Sequence, residues 1–335
     1  MIMGQLENKR LLVKVATLYY QEELTQQEIS EALRISRPKV SRLLRQAREQ
    51  GIVQITIVKP SGVFPHLERA LEQRYGLQEA VIVEVQDYTS PNAVAGEIGA
   101  AAAEYLHRTI QPGDVVGVSW GRTLAAMVNA CRPEAKTGTA VVQITGGLGP
   151  PVSEVHASGL ATRLAAALGA EVHLLAAPGV VDSPEAREAL LRDSHVHRTL
   201  ELARRASMVF VGIGTPSRDS IVMQIGEILA WDEMEHLLEM GAVGDVALHY
   251  FDIKGRPVEG MSSRVIALPP DQLKKIPRRV GVAGGTGKFE AILGAILGGW
   301  INCLITDHVT AQRLLEVQIG GTGPASGKRS PRARD

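Results

Sequence analysis

The sequence predicts an α/β protein in two parts, a small helix-turn-helix domain followed by a larger domain of alternating strands and helices. Residues 24–57 contain the first pattern, two short amphipathic helices around a tight turn. From residue 79 onward, short apolar segments alternate with helical ones, which is typical of a parallel sheet covered on both faces. A chain of 335 residues is long enough for two domains. We expect boundaries at 1–58 and 59–318, and a disordered tail at 319–335 that is rich in Gly, Pro, Ser and Arg.

The first half of the small domain predicts two helices. Residues 9–20, KRLLVKVATLYY, have apolar residues at helical spacing and should close the core of this domain. Thr25 is placed to cap the next helix, and Glu28 three residues later completes a capping box. Arg34 and Ile35 then make the turn.

The second helix of the pair has its own start and stop signals. Ser36 is placed to cap it, and Pro38 falls in its first turn, where a missing N–H costs least. Its apolar residues recur at i, i+3, i+4 and i+7, namely Val40, Leu43, Leu44 and Ala47. Gly51 can end the helix, and residues 52–57 predict a short strand.

The basic residues of this helix lie opposite its apolar stripe. They recur every third residue, at Lys39, Arg42, Arg45 and Arg48. The alternative is an ordinary pair of helices with a solvated basic face. However, the helix caps, the length of the turn, the apolar stripe and the location of the basic residues on the opposite side all agree with a DNA-binding helix-turn-helix. The predicted contacts to a double-stranded DNA operator are Ser36, Arg37, Lys39, Ser41, Arg42 and Arg45.

The formal net charge of zero hides an uneven distribution along the chain. Residues 1–60 hold ten Lys and Arg against six Asp and Glu, and the last fifteen residues hold four basic residues and one Asp. The middle of the chain is therefore acidic by about seven charges, and we do not expect it to bind nucleic acid.

Several classes of protein are disfavoured. Cys131 and Cys303 match no metal-ligand spacing, and His195 and His197 on one helix would not face a single ion. The start is polar rather than a signal peptide, and the longest apolar run, at 291–305, is broken by glycines and too short to span a bilayer. We therefore expect a soluble cytoplasmic protein with no membrane partner, no metal and no cofactor.

The larger domain begins after a linker, KPSG at 59–62, and a helix at 64–75 that ends at Gly76. The predicted strands are 80–85, 115–118, 140–144, 171–175, 208–211, 280–282 and 303–305. The predicted helices between them include 93–107, 123–130, 160–168, 185–191 and 288–297. Residues 244–258 differ, because Lys254 and Gly255 between two short apolar runs suggest a hairpin.

Glycine-rich loops follow four of the predicted strands, at 119–123, 145–147, 212–215 and 284–288. In an open α/β sheet, ligands bind beyond the carboxyl ends of the strands, and amides at a helix N-terminus face anions. The loop at 284–288 is not a Walker A loop, and there is no dinucleotide fingerprint in the chain, which argues against a nucleotide-binding protein.

The polar residues of these loops suggest a phosphate site. Arg122 and Lys288 could hold a phosphate, and Thr123 could donate its hydroxyl to it. Asp245 could accept hydrogen bonds from sugar hydroxyls, although a turn residue after Gly244 is an alternative interpretation.

Six segments of the chain match a known protein family in the order expected for it: SRPKVSRLLRQAREQGIV, GDVVGVSWGRTL, VVQITGGLG, GIGTP, AVGDVALHYFDIKGRPV and IPRRVGVAGGTGKFEAILGAILGGWINCLITD. In these segments the chain resembles the SorC family of bacterial sugar-responsive transcriptional regulators. Together they cover nearly the whole chain except the tail.

The resemblance implies an α/β effector domain similar to sugar-phosphate isomerases (glucosamine-6-phosphate isomerase, ribose-5-phosphate isomerase and CoA-transferase-like folds), which binds a phosphorylated sugar. It also implies a homo-oligomer, a dimer or more often a tetramer. The implied effector contacts are Gly121, Arg122, Thr123, Asp245, Gly285, Thr286 and Lys288. We add Thr145 and Gly146 of the loop at 145–147 to the predicted effector-binding residues. Some members carry Lys or Arg where this chain has Thr145, in one case forming a Schiff base with the sugar, so covalent capture is excluded at that position.

Two functions are therefore open. The first is a transcriptional regulator, not an enzyme, whose operator affinity is set by a phosphorylated sugar. The second is an active sugar-phosphate isomerase with an added DNA-binding domain, which needs a general base near a substrate carbon. Asp245 and Asp307 are candidate bases, but the spacing reveals no paired acid and base.

Overall fold

The structure is a computed structural model that divides into two compact units, one up to Ser61 and one from Gly62 onward. It describes residues 2–55, 62–148, 156–218, 220–224 and 229–317; for residues 2–8, 221 and 224 it describes the backbone only. The predicted linker at 59–62 falls almost entirely outside these ranges, and the predicted disordered tail falls wholly outside them.

The N-terminal unit contains three helices, α1 (Ile2–Tyr20), α2 (Gln26–Leu33) and α3 (Arg37–Glu49). The capping box is confirmed, since Glu28 N donates to Thr25 Oγ1 at 3.3 Å and Thr25 N donates to the Glu28 carboxylate at 2.8 Å. Its core is formed by the apolar faces of all three helices, with Leu12, Val15, Ala16, Ile29, Val40, Leu43, Leu44 and Ala47 buried.

Two details of this unit differ from the prediction. Ser36 occupies the N-cap position of α3, but its side chain makes no capping hydrogen bond. The strand expected at 52–57 is wrong for its described part, because residues 51–53 form a turn and bends and residues 54–55 have no regular structure. Val53 N is bonded to Ala47 O at 3.1 Å. A β-segment needs a partner strand, and the described part of this unit offers none.

The second unit is built on a seven-stranded sheet in which every pairing is parallel, with the order β1-β9-β8-β5-β2-β3-β4. Its strands are β1 (Glu79–Val83), β2 (Val115–Val118), β3 (Ala140–Gln143), β4 (Glu171–His173), β5 (Met208–Gly212), β8 (Arg278–Val282) and β9 (Cys303–Asp307). All seven predicted strands are confirmed. The strands are apolar at every position because both faces of the sheet are buried. In β5, for example, the successive residues Val209 and Phe210 pack into the two cores on opposite faces.

Helices cover both faces of this sheet. They are α4 (Pro65–Tyr75), α5 (Pro91–Thr109), α6 (Arg122–Ala130), α7 (Ala157–Leu168), α8 (Pro184–Arg192), α9 (Ser194–Ala203), α10 (Ile221–Gln224), α11 (Trp231–Glu239), α12 (Pro270–Leu273), α13 (Phe289–Leu297) and α14 (His308–Glu316). The six predicted helices are confirmed, and five further helices, α9, α10, α11, α12 and α14, were not among them.

The hairpin is confirmed, but its first turn lies earlier than the sequence suggested. Strands β6 (Gly244–Val246) and β7 (His249–Phe251) pair antiparallel around Ala247 and Leu248, which have φ of 53° and 67°. Non-glycine residues in this conformation give no turn signal in a sequence. At Lys254 and Gly255 the chain does reverse again, with Gly255 N bonded to Asp252 O at 2.7 Å.

Within the described ranges, no helix is long and apolar enough to cross a membrane. The same residues contain no group of three or more His, Cys, Asp or Glu that could hold a metal ion.

Candidate functional site

A cavity of about 660 Å³ lies at the carboxyl ends of the strands. It is lined mainly by the loops after β2, β5 and β8, at residues 119–123, 212–217 and 284–288. The strand order reverses between β2 and β5, since β3 lies beyond β2 on one side and β8 lies beyond β5 on the other. Loops that diverge in this way open a crevice, and ligands of open α/β sheets bind there.

Lys288 reaches into this cavity from a 3₁₀ turn, Thr286–Lys288, that runs directly into α13. Its Nζ donates to the backbone oxygen of Ile213 at 2.8 Å, which uses one of its three N–H donors. Burial lowers the pKa of Lys288 to about 8; the nearby Asp245 carboxylate opposes this shift, and the Arg122 charge adds to it.

Asp245 is buried on β6. Its Oδ2 accepts a hydrogen bond from Leu248 N at 3.1 Å, and its backbone forms an isolated bridge with Gly214. Burial raises the pKa of Asp245 to about 6, against the opposing effects of the Leu248 N–H and the Lys288 charge. A Cβ at Gly214 would lie 2.0 Å from Asp245 Oδ1, so the absence of a side chain there makes room for the carboxylate.

Arg122 opens α6 after Gly121, whose φ of 124° is a conformation that favours glycine. Among the described residues, no hydrogen bond or ion pair joins the Arg122 guanidinium to another group. An unpartnered guanidinium at a cavity wall, with five N–H donors, is suited to bind an anionic ligand.

Asp307 fixes the position of the loop that carries Lys288. Its carboxylate accepts hydrogen bonds from Gly285 N (2.7 Å), from Thr310 N (2.8 Å) and Oγ1 (2.7 Å), and from Tyr88 Oη (2.8 Å). Burial alone would raise the pKa of Asp307, but these hydrogen bonds outweigh it and hold the pKa below its ordinary value. Asp307 also caps α14, so it joins that helix to the Gly285 loop and to Tyr88 at the cavity wall.

The structure brings most of the predicted effector residues together. Seven of them line the cavity, namely Gly121, Arg122, Thr123, Asp245, Gly285, Thr286 and Lys288. Sequence reasoning missed apolar and aromatic lining residues such as Tyr88, Trp120, Val222 and Leu238, because such residues are indistinguishable from core residues in a sequence.

Thr145 and Gly146 are not among the residues that line this cavity. Thr145 is fully buried and bridges Ala267, and a Cβ at Gly146 would lie 2.4 Å from the backbone oxygen of Pro178. Their loop follows β3, which lies beyond β2 and away from β5. Residues 149–155, which follow this loop, lie outside the described ranges.

The second candidate surface is the outer face of α3. All six residues predicted to contact DNA are exposed, while Val40, Leu43, Leu44 and Ala47 on the opposite face are buried. The Arg45 guanidinium lies 3.9 Å from Glu49 Oε1, but both side chains are mostly exposed, so this pair holds Arg45 only weakly.

Comparison with protein families divides the chain in the same way. Residues 63–316 match the Sugar-bind family, which is described as a sugar-binding domain. Residues 14–50 match region 4 of sigma-70.

Known proteins resemble the chain over nearly its whole length. The deoxyribonucleoside regulator of Bacillus subtilis is 34% identical over 92% of this chain and 98% of its own. The sorbitol operon regulator of Klebsiella pneumoniae is 33% identical over 92% of this chain and 98% of its own.

Solved structures agree with these sequence comparisons. The full-length sorbitol operon regulator SorC from Klebsiella pneumoniae has a TM-score of 0.70 at 32% identity, covering 92% of this chain and 99% of that one. A probable sor operon regulator from Shigella flexneri has a TM-score of 0.69 at 31% identity, covering 75% of this chain and 99% of that one. The chain belongs to the SorC family of sugar-binding transcriptional regulators, with a DNA-binding unit followed by a sugar-binding α/β unit.

Proposed function

We propose that this protein is a cytoplasmic regulator whose affinity for an operator is set by a phosphorylated sugar bound in the α/β unit. The observation that carries the proposal is the convergence of Arg122 and Lys288 on one cavity at the sheet edge. Guanidinium and ammonium groups bind phosphate oxygens through charge-assisted hydrogen bonds, which are about twice as strong as neutral ones. The turn Thr286–Lys288 lines the same cavity.

The uncharged part of the effector has polar partners as well. Asp245 can accept hydrogen bonds from sugar hydroxyls, and the hydroxyls of Ser119, Thr123, Thr215 and Ser217 line the same cavity. Two relatives are named for the regulation of deoxyribonucleosides and of the sorbitol operon, which supports a small sugar-like effector.

The DNA partner is a duplex operator read by α3. Ser36, Arg37, Lys39, Ser41, Arg42 and Arg45 would divide between base edges and phosphates. A helix-turn-helix regulator binds as a dimer to half-sites one or more helical turns apart, so we propose a homo-oligomer, a dimer or a tetramer. The effector changes operator affinity only if it binds one arrangement of this oligomer better than another.

An isomerase activity is the second candidate, and one observation favours it. Asp245 lies in the cavity with a pKa raised toward neutrality, as a general base requires. Asp307, the other candidate base, is less suited because its carboxylate already accepts hydrogen bonds from three residues. Turnover of any aldose or ketose phosphate that is lost in an Asp245→Asn variant would establish this second function.

The test of the proposed function has two steps. A panel of free and phosphorylated sugars is screened for the ligand that raises the melting temperature, and its effect on binding to DNA selected by the protein from a random pool is then measured. Arg122→Ala and Lys288→Ala should abolish the rise in melting temperature and the change in DNA affinity. Arg132→Ala and Lys275→Ala, whose charges pair with exposed carboxylates elsewhere, are the matched controls. A free sugar that acts in both charge-removed variants as in the native protein would refute the phosphate assignment.

A further inference from the structure

The cavity lining carries few charges. Its cationic side chains are Arg122 and Lys288, and its acidic side chains are Asp245 and Glu290. Asp245 lies close enough to Lys288 for each to shift the other's pKa. When both carboxylates are ionised, the two positive charges of the described lining are balanced by two negative charges. The lining therefore has no positive charge to spare for a second phosphate group.

The arginines nearest to this lining in sequence or space are already engaged. Arg313 donates to the backbone oxygen of Thr286 at 2.9 Å, and its guanidinium lies 4.3 Å from the ring centroid of Phe289. Arg218 stacks over Trp231 with 3.9 Å between its guanidinium carbon and the ring centroid. Neither arginine lines the cavity, so neither offers a second phosphate site.

The undescribed segments inside this unit supply no hidden cation. Residues 149–155, 219 and 225–228 contain Glu154, Asp219 and Glu227 but no Lys or Arg. Among the described residues that line the cavity, the cations are therefore Arg122 and Lys288.

The rest of the lining is largely uncharged. One part is apolar, with Val94, Trp120, Val222, Leu238 and Val243. A charged group placed against such side chains loses its hydration without a compensating partner, which is costly. A second phosphate would also add negative charge near Asp245 and Glu290, and like charges brought together disfavour binding.

We propose that the cavity selects a sugar monophosphate, with one phosphate on Arg122 and Lys288 and no second charged group, and that it rejects sugar bisphosphates. This inference rests on the proposed function, because it assumes that the effector is phosphorylated. It narrows the effector to compact sugars whose remaining substituents are neutral.

The test uses matched pairs of ligands on the full chain. Dissociation constants are measured by calorimetry for glucose 6-phosphate against glucose 1,6-bisphosphate, fructose 6-phosphate against fructose 1,6-bisphosphate, and ribose 5-phosphate against ribose 1,5-bisphosphate. In every pair that binds, the monophosphate should bind at least about tenfold more tightly, since uncompensated like charge is strongly disfavoured. A bisphosphate that binds as tightly as its monophosphate, or more tightly, overturns the inference.

A gain-of-function variant tests the physical reason. Leu238 lines the cavity and is 41% exposed, so a longer polar side chain can be accommodated there. Leu238→Lys should improve bisphosphate affinity at least about fivefold over Leu238→Gln, because it supplies the missing cation. Equal bisphosphate affinities in these two variants would contradict the charge argument.

The outcomes separate this inference from the function on which it rests. If a bisphosphate binds best and Arg122→Ala abolishes its binding, the phosphate site stands and the selection for one phosphate is wrong. If free sugars bind and no member of any phosphorylated pair does, the phosphorylated effector itself is refuted, and this inference with it.

Discussion

Asp307 Oδ2 lies 2.7 Å from the backbone nitrogen of Gly285 and accepts its hydrogen bond. The Gly285 N–H is therefore directed to a carboxylate of the protein and is not available to an anion, although Gly285 lines the cavity. Gly285 has a φ of 96°, and this hydrogen bond holds the loop in that conformation just before Thr286 and Lys288. Asp307 thus fixes the geometry of the loop that carries Thr286 and Lys288.

We first predict that Asp307→Asn weakens effector binding without removing a ligand contact. An amide has one acceptor oxygen, so it cannot replace both oxygens that now accept from Gly285, Thr310 and Tyr88. The unfolding free energy should fall by about 1–3 kcal/mol, as expected when buried partners are left unsatisfied, and effector affinity should fall in parallel. Urea unfolding and calorimetry measure the two effects.

Tyr88→Phe is the companion variant, since it removes one of the hydrogen bonds and keeps the ring at the cavity wall. Its effects should be clearly smaller than those of Asp307→Asn. Native effector affinity in Asp307→Asn would show that the Gly285 loop holds its conformation without this carboxylate.

Effector affinity should depend on pH in a bell-shaped manner. Lys288 has a pKa lowered to about 8 in the free protein, so it loses the charge that we propose binds phosphate as the pH rises through that value. Asp245 has a pKa raised to about 6, so it loses its acceptor character as the pH falls through that value. Affinity for the effector found in the thermal screen, measured from pH 5 to pH 9, should be highest between the two values.

The acidic limb needs a control, because a phosphate monoester also has a second pKa of about 6. In Asp245→Asn, the loss of affinity at acidic pH should be smaller, and the remaining loss should be the part that comes from protonation of the ligand's phosphate. An affinity that is constant from pH 7 to pH 9 would contradict the role given to Lys288.

Stability without ligand should respond to Asp245 as well. Its pKa is higher in the folded protein than the ordinary value of 3.8, so the folded state binds more protons between these two values. The contribution of Asp245 to the unfolding free energy should therefore decrease as the pH rises from about 4 to about 6, by about 3 kcal/mol for a shift of this size, and then level off. Buried His249, whose pKa is lowered to about 4, contributes in the opposite direction over the same range, so the difference between the native protein and Asp245→Asn isolates the effect. Asp245→Asn should lack this decrease in urea unfolding measured across the same range.

The hydrophobic periodicity of the sequence was sufficient to predict the strands of the sheet, but it did not predict the turn that positions Asp245. Apolar runs such as VVGV and MVFV are buried on both faces, so tertiary packing and local pattern agree there. The β6–β7 turn escaped prediction because Ala247 and Leu248 are not typical turn residues, although both have positive φ. A local side-chain contact holds the turn, since Asp245 accepts a hydrogen bond from Leu248 N three residues later.

Residue type was sufficient to predict several residues of the cavity lining, and strand order decides which of the other predicted residues lie outside it. Arg122, Asp245 and Lys288 are polar residues beside glycines, and each lines the cavity. Nothing in the sequence states that β5, and not β3, lies between β2 and β8. That order places the loops of β2, β5 and β8 around the cavity and leaves Thr145 outside its lining.

Gly214→Ala should disrupt the site through Asp245. The new methyl group would lie 2.0 Å from Asp245 Oδ1, so the carboxylate must move away from its position next to Lys288. We expect effector affinity to fall at least about tenfold, with a loss of stability of about 1–3 kcal/mol from overpacking. Gly96→Ala on α5 is the control, because a Cβ there meets nothing within 4 Å. That control should raise stability by up to about 1 kcal/mol, as expected for glycine to alanine in a helix.

The DNA interface is tested by charge removal on α3. Arg42→Ala and Arg45→Ala should each weaken binding to the selected operator DNA, because both side chains are exposed on the face opposite the buried stripe. Whichever of them contacts a phosphate should also lower the slope of log affinity against log salt by about one. Fluorescence anisotropy over a range of salt concentrations measures both quantities. Arg132→Ala in the α/β unit should leave them unchanged, and native operator affinity and salt slope in both α3 variants would exclude this face as the DNA-binding surface.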